Sequence, residues 1–491
     1  MKHFLLLLFL VSSSRIVHSQ QFELAYSCST EARSRPSAII IDQYQNIYLS
    51  HNTDSVSTPH HTTISKYQSM TNNLLWQHTI AGQIRITDME FNLQGSIYCI
   101  GYFKNTVIID TTQLTATAGQ SKGLVIKIDS AGSITMVSTI TLSGAIEFEP
   151  VDLFISPSDQ YYFTALTSGT GSFCSFHQMS ATGQIIKSEL AQNQVRSFSK
   201  IVADTNGNVY LSGTCSNFAQ FDSFNSNPNF SYQNFLVKYD SSFTAQWLIN
   251  KEYITFDEES KLKLFSHQLF WGINDFTNNA DTTKIIRLQL DGTIISELHS
   301  PLNITFFPSF HFDIDPSGTT TWVLNSFIRF FIYRYDANGQ FIHQDTVLSQ
   351  LSANGKEFHV TSTNNGYYIT GTYMNDTLPF DSIMVYNPNS SNNYPSDIFI
   401  AKWHDQSTGL WTPAKEPYQL LYDPINNSLS LLLEKKQGGI AHCYNATGQL
   451  RSVIPCQNGE VKLTTTEYKA GIYFLQLVLN NGSVLKIKLL L

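Results

Sequence analysis

Charged residues are scarce in this sequence. Asp, Glu, Lys and Arg make up 14% of its 491 residues, whereas an ordinary globular protein has about 25%. Long helices with one solvated face need such residues, so the shortage argues against a helical fold. The net charge is only −8, and no block of lysine or arginine could neutralise a row of phosphates. We therefore expect no nucleic-acid partner.

Closely spaced cysteine pairs are also missing. The six cysteines contain no CxxC pair, and an even number in an exported chain permits disulfides without requiring them. A turn predicted at residues 445–448 would place Cys443 opposite Leu450 and Cys456 opposite Gln437. Their sulfurs would lie roughly 20 Å apart, whereas a bridge needs Cα atoms within about 7 Å. We predict that these two cysteines do not pair.

One apolar run opens the sequence, and it is too short to span a bilayer. Residues 4–11 follow Lys2, and residues 17–19 offer small side chains for cleavage. This order is typical of a secretory signal peptide; a buried N-terminal strand is the alternative. We predict a signal peptide over residues 1–19, cleaved between Ser19 and Gln20. No other stretch is long and apolar enough to span, so we expect no transmembrane segment in the mature chain.

Aromatic residues are abundant at 13%, which favours β-strands. A turn residue precedes a short aromatic-rich strand in six places: Gln45, Gly95, Asp159, Gly207, Gly318 and Gly366. The spacing is close to 50 residues except for one double-length interval. That interval predicts a degenerate seventh copy near residues 266–271.

A second phrase follows the first in every copy. It is an apolar strand with a central cation, replaced once by glutamine: Lys66, Lys127, Gln178, Lys238, Arg287, Arg334 and Lys402. Three copies add a short element between the two phrases: Ile109-Asp110, Phe221-Asp222 and Phe380-Asp381. The recurring cations are expected to be structural, and so are the tryptophans Trp76, Trp247 and Trp411 that follow three of them.

Repeats of about 50 residues with several short strands each are typical of a β-propeller. One small sheet cannot cover both of its faces, whereas a ring of sheets covers them all. A linear solenoid is the alternative, but it needs capping repeats. We predict an all-β chain with a seven-bladed β-propeller over residues 20–412.

These copies resemble the bacterial propeller repeats often called SBBP-like. The resemblance is strongest at residues 204–247, where Asn206-Gly-Asn-Val-Tyr210 is followed by Lys238-Tyr-Asp240 and Trp247. It covers roughly residues 35–412. It implies a propeller but no uniform activity.

The pattern stops after the seventh copy. Pro413 and Pro417 indicate a linker, placed at residues 413–418. Residues 419–491 then contain alternating strands and hairpin turns, which predict a small antiparallel β-sandwich.

The tail resembles the C-terminal sorting domain of the type IX secretion pathway of Bacteroidetes. The matching positions, in order, are Pro424, Tyr444, Gly448, Gly471, Tyr473, Lys486 and Lys488. The resemblance implies recognition by outer-membrane secretion machinery and removal of the tail there. The body would then be released or attached at the cell surface. An accessory sandwich without a sorting role is the alternative.

Three motifs that suggest chemistry are better explained by structure. The G-x-S-x-G at residues 119–123 precedes a strand rather than the helix of a nucleophile elbow. The stretch from Asp313 resembles a calcium loop but ends on Leu324, which cannot supply the last ligand. His51, His60 and His61 lack ligand spacing and are expected in a solvated loop. We predict no catalytic, cofactor-binding or metal-binding residue.

Function is expected where the repeats differ: the 51–62 loop, the insert at 225–234 and the segment 256–260. The favoured hypothesis is a secreted or surface-attached scaffold that binds a glycan or a protein. The alternatives are a glycan-active lyase or hydrolase with its site at the propeller mouth, and a structural component of an extracellular assembly.

Overall fold

The computed structural model divides the chain into two compact units, Met1–Asp405 and Gln406–Leu491. It describes residues 22–28, 34–53, 60–68, 73–168, 172–191, 195–216, 218–252, 260–275, 282–300, 310–326, 329–348, 358–363, 366–373, 376–380, 383–388, 397–404, 418–423, 428–433, 438–445, 449–464, 472–480 and 484–490. The predicted signal peptide, with Ser19 and Gln20, lies outside these residues.

Every regular element described is a β-strand, and the first unit holds seven four-stranded antiparallel sheets. Sheet 1 is β2 (Ser34–Ile41), β3 (Ile47–Thr53), β4 (His61–Tyr67) and β5 (Leu74–Ala81). Sheet 2 is β6 (Ile84–Phe91), β7 (Ile97–Lys104), β10 (Ser121–Ile128) and β11 (Ile134–Ile140). Sheet 3 is β12 (Glu147–Ile155), β13 (Tyr161–Ser168), β14 (Ser172–Met179) and β15 (Ile185–Leu190). Sheet 4 is β16 (Val195–Ala203), β17 (Val209–Ser216), β20 (Tyr232–Tyr239) and β21 (Ala245–Glu252).

The remaining sheets follow the same order with one exception. Sheet 5 is β22 (Lys261–Phe265), β23 (Gln268–Asp275), β24 (Thr282–Gln289) and β25 (Ile294–His299). Sheet 6 is β26 (Phe310–Ile314), β27 (Thr320–Ser326), β28 (Arg329–Tyr335) and β29 (Phe341–Leu348). Sheet 7 is β30 (His359–Thr363), β31 (Gly366–Tyr373), β34 (Asp397–His404) and, from the other end of the unit, β1 (Phe22–Ser27).

The seven sheets form a closed ring. The first strand of each of sheets 1 to 6 contacts the first strand of the next sheet, and β30 contacts β2. These innermost strands surround a central channel, which is the arrangement of a β-propeller. Sheet 7 joins the two ends of the unit, because β1 pairs antiparallel with β34 from Phe22 opposite Trp403 to Ser27 opposite Phe399.

The repeated phrases occupy equivalent strands. The aromatic-rich phrase forms the second strand of its sheet, and the predicted degenerate copy near residues 266–271 falls at β23. The phrase with the central cation forms the third strand. The short additional elements form hairpins between them: β8 (Thr106–Ile109) with β9 (Thr112–Thr115), β18 (Gln220–Phe221) with β19 (Phe224–Asn225), and β32 (Thr377–Phe380) with β33 (Ile383–Tyr386).

Neighbouring sheets cover one another's faces. Tyr48 and Ile64 of sheet 1 share a buried cluster with Ile86 and Ile126 of sheet 2. The ring closes in the same way, since Leu49 and other residues of sheet 1 are buried with side chains of sheet 7. Burial between sheets is therefore the main source of stability.

The central cations link one sheet to the next. Lys66 Nζ donates to the carbonyl oxygen of Ser130 at 3.0 Å, and Lys238 Nζ donates to that of Leu290 at 3.2 Å. Both acceptors lie in turns of the following sheet. Sheet 3 has Gln178 at this position, and there Lys187 of β15 donates to a carbonyl of sheet 4 instead. These contacts give the recurring cations a structural role.

Two tryptophans pack between sheets as well. A Cβ placed on Gly132, in a turn of sheet 2, would lie 2.7 Å from the Trp76 ring. One placed on Gly292, in a turn of sheet 5, would lie 3.3 Å from the Trp247 ring. Trp411 lies outside the described residues.

The second unit contains two antiparallel sheets. One is β35 (Tyr418–Asp423), β36 (Ser428–Leu433) and β39 (Glu460–Thr464); the other is β38 (Leu450–Cys456), β37 (Gly439–Asn445), β40 (Ile472–Leu479) and β41 (Val484–Leu490). Their buried side chains form one cluster, in which Leu431 and Leu463 meet Cys443 and Leu475. Tyr418, the last residue of the predicted linker, opens β35, and residues 413–417 lie outside the described residues.

The predicted register of the cysteine hairpin was wrong by two residues. Cys443 pairs with Ser452 rather than Leu450, and Cys456 pairs with Gly439 rather than Gln437. A bulge after Cys443 supplies part of the shift, since an extra residue in one strand moves its partner along the other. All six cysteines of the chain are free thiols.

The glycine that ends the aromatic-rich phrase in sheets 2 and 4 faces a bulge in the innermost strand. Gly101 pairs with Ile86 just before Thr87, the extra residue of the bulge. A Cβ at Gly101 would lie 1.9 Å from the carbonyl oxygen of Arg85, and one at Gly213 would lie 2.0 Å from that of Ser197. Only glycine fits where the two backbones approach this closely.

We predict that Gly101→Ala lowers the free energy of unfolding by about 3 kcal/mol, because the strand pair must separate to admit the methyl group. Chemical denaturation followed by tryptophan fluorescence measures this. Gly144→Ala is the control, since its site is open and only its φ of +86° opposes the change; there we expect about 1 kcal/mol. Equal losses in the two variants would show that the close approach does not restrict this position.

Candidate functional site

The innermost strands line a cavity of about 360 Å³ in the central channel. Each strand lines it with three to five residues, and residues two positions apart form layers, since alternate residues of a strand share a side. The first layer along the channel is Ala38, Asp88, Asp152, Lys200, Lys261, His311 and His359. The second layer is Ile40, Glu90, Phe154, Val202, Lys263, Asp313 and Thr361. The repeat therefore brings seven different residues to one level of the channel.

Bulges help to place the acidic residues in the channel. In β6 the extra residue Thr87 shifts the alternation, so that Ile86 and Met89 share one buried cluster. Asp88 and Glu90 consequently take the other side of the strand. Similar bulges precede Asp152 and Lys200 in the next two sheets.

One lysine joins two of the carboxylates. Lys200 Nζ contacts Asp152 Oδ1 and lies 3.9 Å from Asp88 Oδ2. Burial lowers the pKa of Lys200, but the charges of Asp152 and Asp88 outweigh it and raise the pKa overall. Burial raises the pKa of Asp152, and Lys200 opposes that change. The side chain of Asp152 is 4% exposed and that of Lys200 28%, so the carboxylate is buried while part of the lysine side chain is accessible.

The channel residues also bind the exposed edge of the next sheet. Asp88 Oδ2 accepts the backbone N–H of Leu153 at 3.0 Å, and Asp152 Oδ2 accepts that of Ile201 at 2.8 Å. Leu153 and Ile201 occupy equivalent positions in neighbouring innermost strands. Each carboxylate thus satisfies an edge donor that has no strand partner.

Sheet 6 makes the same connection with a histidine and a carboxylate. His311 Nδ1 accepts the backbone N–H of Val360 at 3.2 Å, and Asp313 Oδ2 accepts that of Ser362 at 2.7 Å. Burial lowers the pKa of His311, in agreement with a neutral ring that accepts at Nδ1. Asp313 also lies 3.2 Å from Lys263 Nζ, and its charge raises the pKa of that lysine.

Three side chains of the channel stand outside this network. Among the described residues, Glu90, His359 and Thr361 have no hydrogen-bond or ion-pair partner for their side chains. Burial, with the nearby charge of Asp88, raises the pKa of Glu90 to about 8. Burial and the lysines of the channel lower the pKa of His359 to about 3. Both groups are therefore uncharged at neutral pH.

The two ends of the ring differ in their connections. First and second strands are joined at one end by tight turns with a recurrent design: Asp42 Oδ1 accepts the backbone N–H groups of Tyr44 and Asn46, and Asp204 Oδ1 accepts those of Asn206 and Asn208. Antiparallel order places the connections between second and third strands at the opposite end. All three inserted hairpins lie in those connections. We call this end the loop face.

The loop face carries a second cavity, of about 420 Å³. Its lining combines Glu147 and Arg196 with Leu166 and Phe173, which are 42% and 43% exposed. Lys104 bridges Glu147 at 3.3 Å and Glu149 at 3.5 Å beside it. The cavity thus offers an apolar surface bordered by charges of both signs, which is a common composition for ligand sites.

Of the segments in which function was predicted, only a part lies in the connections at the loop face. His51 and His61 are not in a solvated loop, because they lie in the adjacent strands β3 and β4, and His51 is buried. Burial, with the nearby His61, lowers the pKa of His51 to about 4. Residues 54–59 and 256–259 lie outside the described residues, and Ser260 is buried with its hydroxyl accepting the indole N–H of Trp271.

The motifs judged structural have structural partners. Ser121 opens strand β10, and its hydroxyl accepts the backbone N–H of Phe148 at 3.2 Å. Asp315 accepts the N–H groups of Ser317 and Thr319 and so caps a turn. The described residues contain no group of three or more side chains suited to a metal ion.

Some residues of the sorting motif come together in the second unit. Tyr444 of β37 pairs with Phe474 of β40, which pairs with Lys488 of β41; Lys486 pairs with Gln476. Tyr473 is buried. Pro424, Gly448 and Gly471 lie outside the described residues.

The channel residues were missed in the sequence. A signal was present, because Asp88, Asp152, Lys200, His311 and His359 each lie seven residues before the turn residue of their copy. Ala38 holds that position in the first copy. A column that varies between acid, cation, imidazole and methyl group is the kind of difference between repeats that marks a site.

No family model matches the chain, and no curated protein matches it. Among solved structures it is similar to a protein of Lactobacillus plantarum, at 16% identity and a TM-score of 0.41 over 63% of this chain and 84% of that one. A Dyadobacter fermentans protein of unknown function is 9% identical, with a TM-score of 0.40 over 79% of this chain and 100% of that one. The phage phi92 endosialidase is 9% identical, with a TM-score of 0.40 over 80% of this chain and 72% of that one. These values assign no function to the chain.

The described residues include no helix long and apolar enough to cross a membrane.

We predict that Lys200→Met destabilises the protein by about 3 kcal/mol, because it leaves Asp152 buried beside Asp88 without a cation. Adding Asp152→Asn should recover part of the loss, since an amide oxygen can still accept the N–H of Ile201. Urea denaturation measures both. Lys104→Met, which removes an exposed bridge, should cost less than about 1 kcal/mol. A Lys200→Met variant as stable as Lys104→Met would contradict the prediction.

We predict that Glu90 makes folding stability fall as the pH rises. The pKa of about 8 in the folded state exceeds the usual value of about 4.3 for a glutamate. Its stabilising contribution is complete below about pH 4 and is lost progressively up to pH 8. We expect Glu90→Gln to remove a loss on the order of 5 kcal/mol over that interval. Melting curves from pH 5 to 9 test this, with Glu460→Gln as an exposed control; parallel curves for Glu90→Gln and wild type would be contrary evidence.

Proposed function

We propose that the chain is a seven-bladed propeller that acts outside the cell as a binding scaffold for a glycan or a protein, released or attached at the surface. The difference between the two ends of the ring carries the proposal. One end repeats short turns that a side chain caps in the same way in five sheets, whereas the loop face varies and holds the inserted hairpins. The capping residues are Asp42, Asn92, Ser156, Asp204 and Asp315. Variation concentrated at one end of a rigid frame is the usual arrangement of a binding surface.

The loop-face cavity is the candidate contact region. Phe173 and Leu166 supply apolar surface on which a sugar ring or an apolar side chain can pack, and Glu147 and Arg196 can hydrogen-bond polar groups of either ligand. These residues come from sheets 3 and 4, so the site would depend on the closed ring.

Delivery is part of the proposal. The first residues would direct export, and the second unit, a small β-sandwich, would be the sorting domain read by the type IX machinery at the outer membrane. The order of its motif residues supports this, and so does the shared sheet, in which β40 lies between the strand of Tyr444 and the strand of Lys488.

A glycan-active enzyme is the second candidate, and one observation favours it. Glu90 is protonated at neutral pH, while Asp88, two residues away, has its Oδ2 atom 3.9 Å from Lys200 Nζ. One carboxylic acid beside one carboxylate is the pairing used in glycoside hydrolysis.

A glycan array probed with the full-length protein tests the first candidate, and a hydrolase screen tests the second. We expect binding without hydrolysis, and Phe173→Ala should weaken the binding at least fivefold. Tyr44→Ala is the matched control, because Tyr44 is 74% exposed in a turn at the opposite end of the ring. Hydrolysis that is abolished by Glu90→Gln would replace the scaffold with the enzyme. Equal effects of the two aromatic variants would place binding elsewhere.

Mass spectrometry of the protein recovered outside the producing cells tests delivery. We expect a mature form that begins at Gln20 and lacks the second unit. An intact tail on the extracellular protein would contradict the sorting role.

A further inference from the structure

The wall of the channel formed by sheets 7, 1 and 2 differs from the rest. Sheet 1 contributes Ala38, Ile39, Ile40 and Ile41 there, whose side chains are small or apolar. On either side lie His359 and Thr361 from sheet 7 and Glu90 from sheet 2. These three side chains have no hydrogen-bond partner among the described residues. Polar groups that face a cavity without partners are the groups available to a ligand.

The fixed charges of the channel balance. The carboxylates of Asp88 and Asp152 contact Lys200, and Asp313 pairs with Lys263. With Lys261, three carboxylates face three ammonium groups. A charged ligand would have to separate one of these pairs or enter uncompensated, which is costly in an enclosed site. An uncharged ligand leaves the network intact.

The free groups select a particular chemistry. A protonated Glu90 can donate one hydrogen bond and accept others, a neutral imidazole can do both, and so can the hydroxyl of Thr361. Ligand hydroxyl groups, which also donate and accept, match all three. The cavity of about 360 Å³ is near the lower end of small-molecule pockets, about 300–1,000 Å³.

We propose that the central channel is a binding site for a neutral, hydroxyl-rich small molecule of the size of a sugar ring, held by Glu90, His359 and Thr361 against the wall of Ala38. This site is separate from the loop face and does not depend on the function proposed there.

Binding should depend on pH through the ring of charges that faces Glu90. Those groups, strand by strand, are Asp88 on β6, Asp152 on β12, Lys200 on β16, Lys261 and Lys263 on β22, His311 and Asp313 on β26, and His359 on β30; β2 contributes none. Deprotonation of Glu90 above about pH 8 removes a donor and adds an unpaired negative charge. Affinity for a neutral ligand should then fall.

The test is isothermal titration calorimetry of the full-length protein with neutral probes and their charged counterparts. The neutral probes are D-glucose, D-galactose, D-mannose and myo-inositol; the charged ones are D-glucosamine and D-glucuronate. We expect at least one neutral probe to bind at pH 7 and both charged probes to bind at least tenfold more weakly than that neutral probe. No binding by any neutral probe, or equal binding of a charged one, would overturn the proposal.

Variants locate the site. Thr361→Val should weaken binding at least tenfold, whereas Thr139→Val, an exposed threonine of the outermost strand β11, should not. Glu90→Gln should keep most of the affinity at pH 7 and abolish its decline at pH 9. Matching melting temperatures confirm that each variant is folded. If the two threonine variants behave alike, or Glu90→Gln keeps the pH dependence, the proposal is wrong.

One further variant separates the two proposals. Phe173→Ala should leave binding of the neutral probe unchanged while it weakens binding at the loop face. Loss of both activities in Phe173→Ala would place the small molecule at the loop face and overturn the channel site.

Discussion

Each sheet of this protein has an inner edge that no further strand can cover. A four-stranded sheet also has two broad apolar faces, and these faces become buried when the sheets stack in a ring. The backbone N–H groups of the inner edge are satisfied by side chains of the preceding sheet. Four side chains each accept one such N–H: Asp88, Asp152, His311 and Asp313. The charged interior of the channel follows from this requirement.

That requirement divides the channel into two parts. The carboxylates that accept these backbone N–H groups have their charge neutralised by a lysine, as Lys200 neutralises Asp88 and Asp152. Their role is to hold neighbouring sheets in register. The wall between sheets 7 and 2 has no such role, and there Glu90 keeps its proton. The small-molecule site and the glycan-active enzyme proposed above would both use this part, whereas the proposed scaffold would bind its ligand at the loop face.

Much of the fold could be predicted from the sequence because each structural element repeats a local signal. Turn residues at Gly95 and Gly207, and cations at Lys66 and Lys238, recur at fixed positions and mark second and third strands. The innermost strand carries no such recurring phrase, because its side chains contact different neighbours in each sheet. For that reason the channel was missed, and the register at Cys443 was wrong in part because a bulge leaves no mark in the sequence.

The shared seventh sheet has a consequence for how the chain becomes a ring. Strand β1 is made first, yet its partner residue Trp403 lies 381 positions beyond Phe22. Until that partner emerges, the opening strand has no place to pair, and such distant contacts form slowly. Assembly is therefore completed by the join between the beginning and the end of the unit, after the whole unit has been made available.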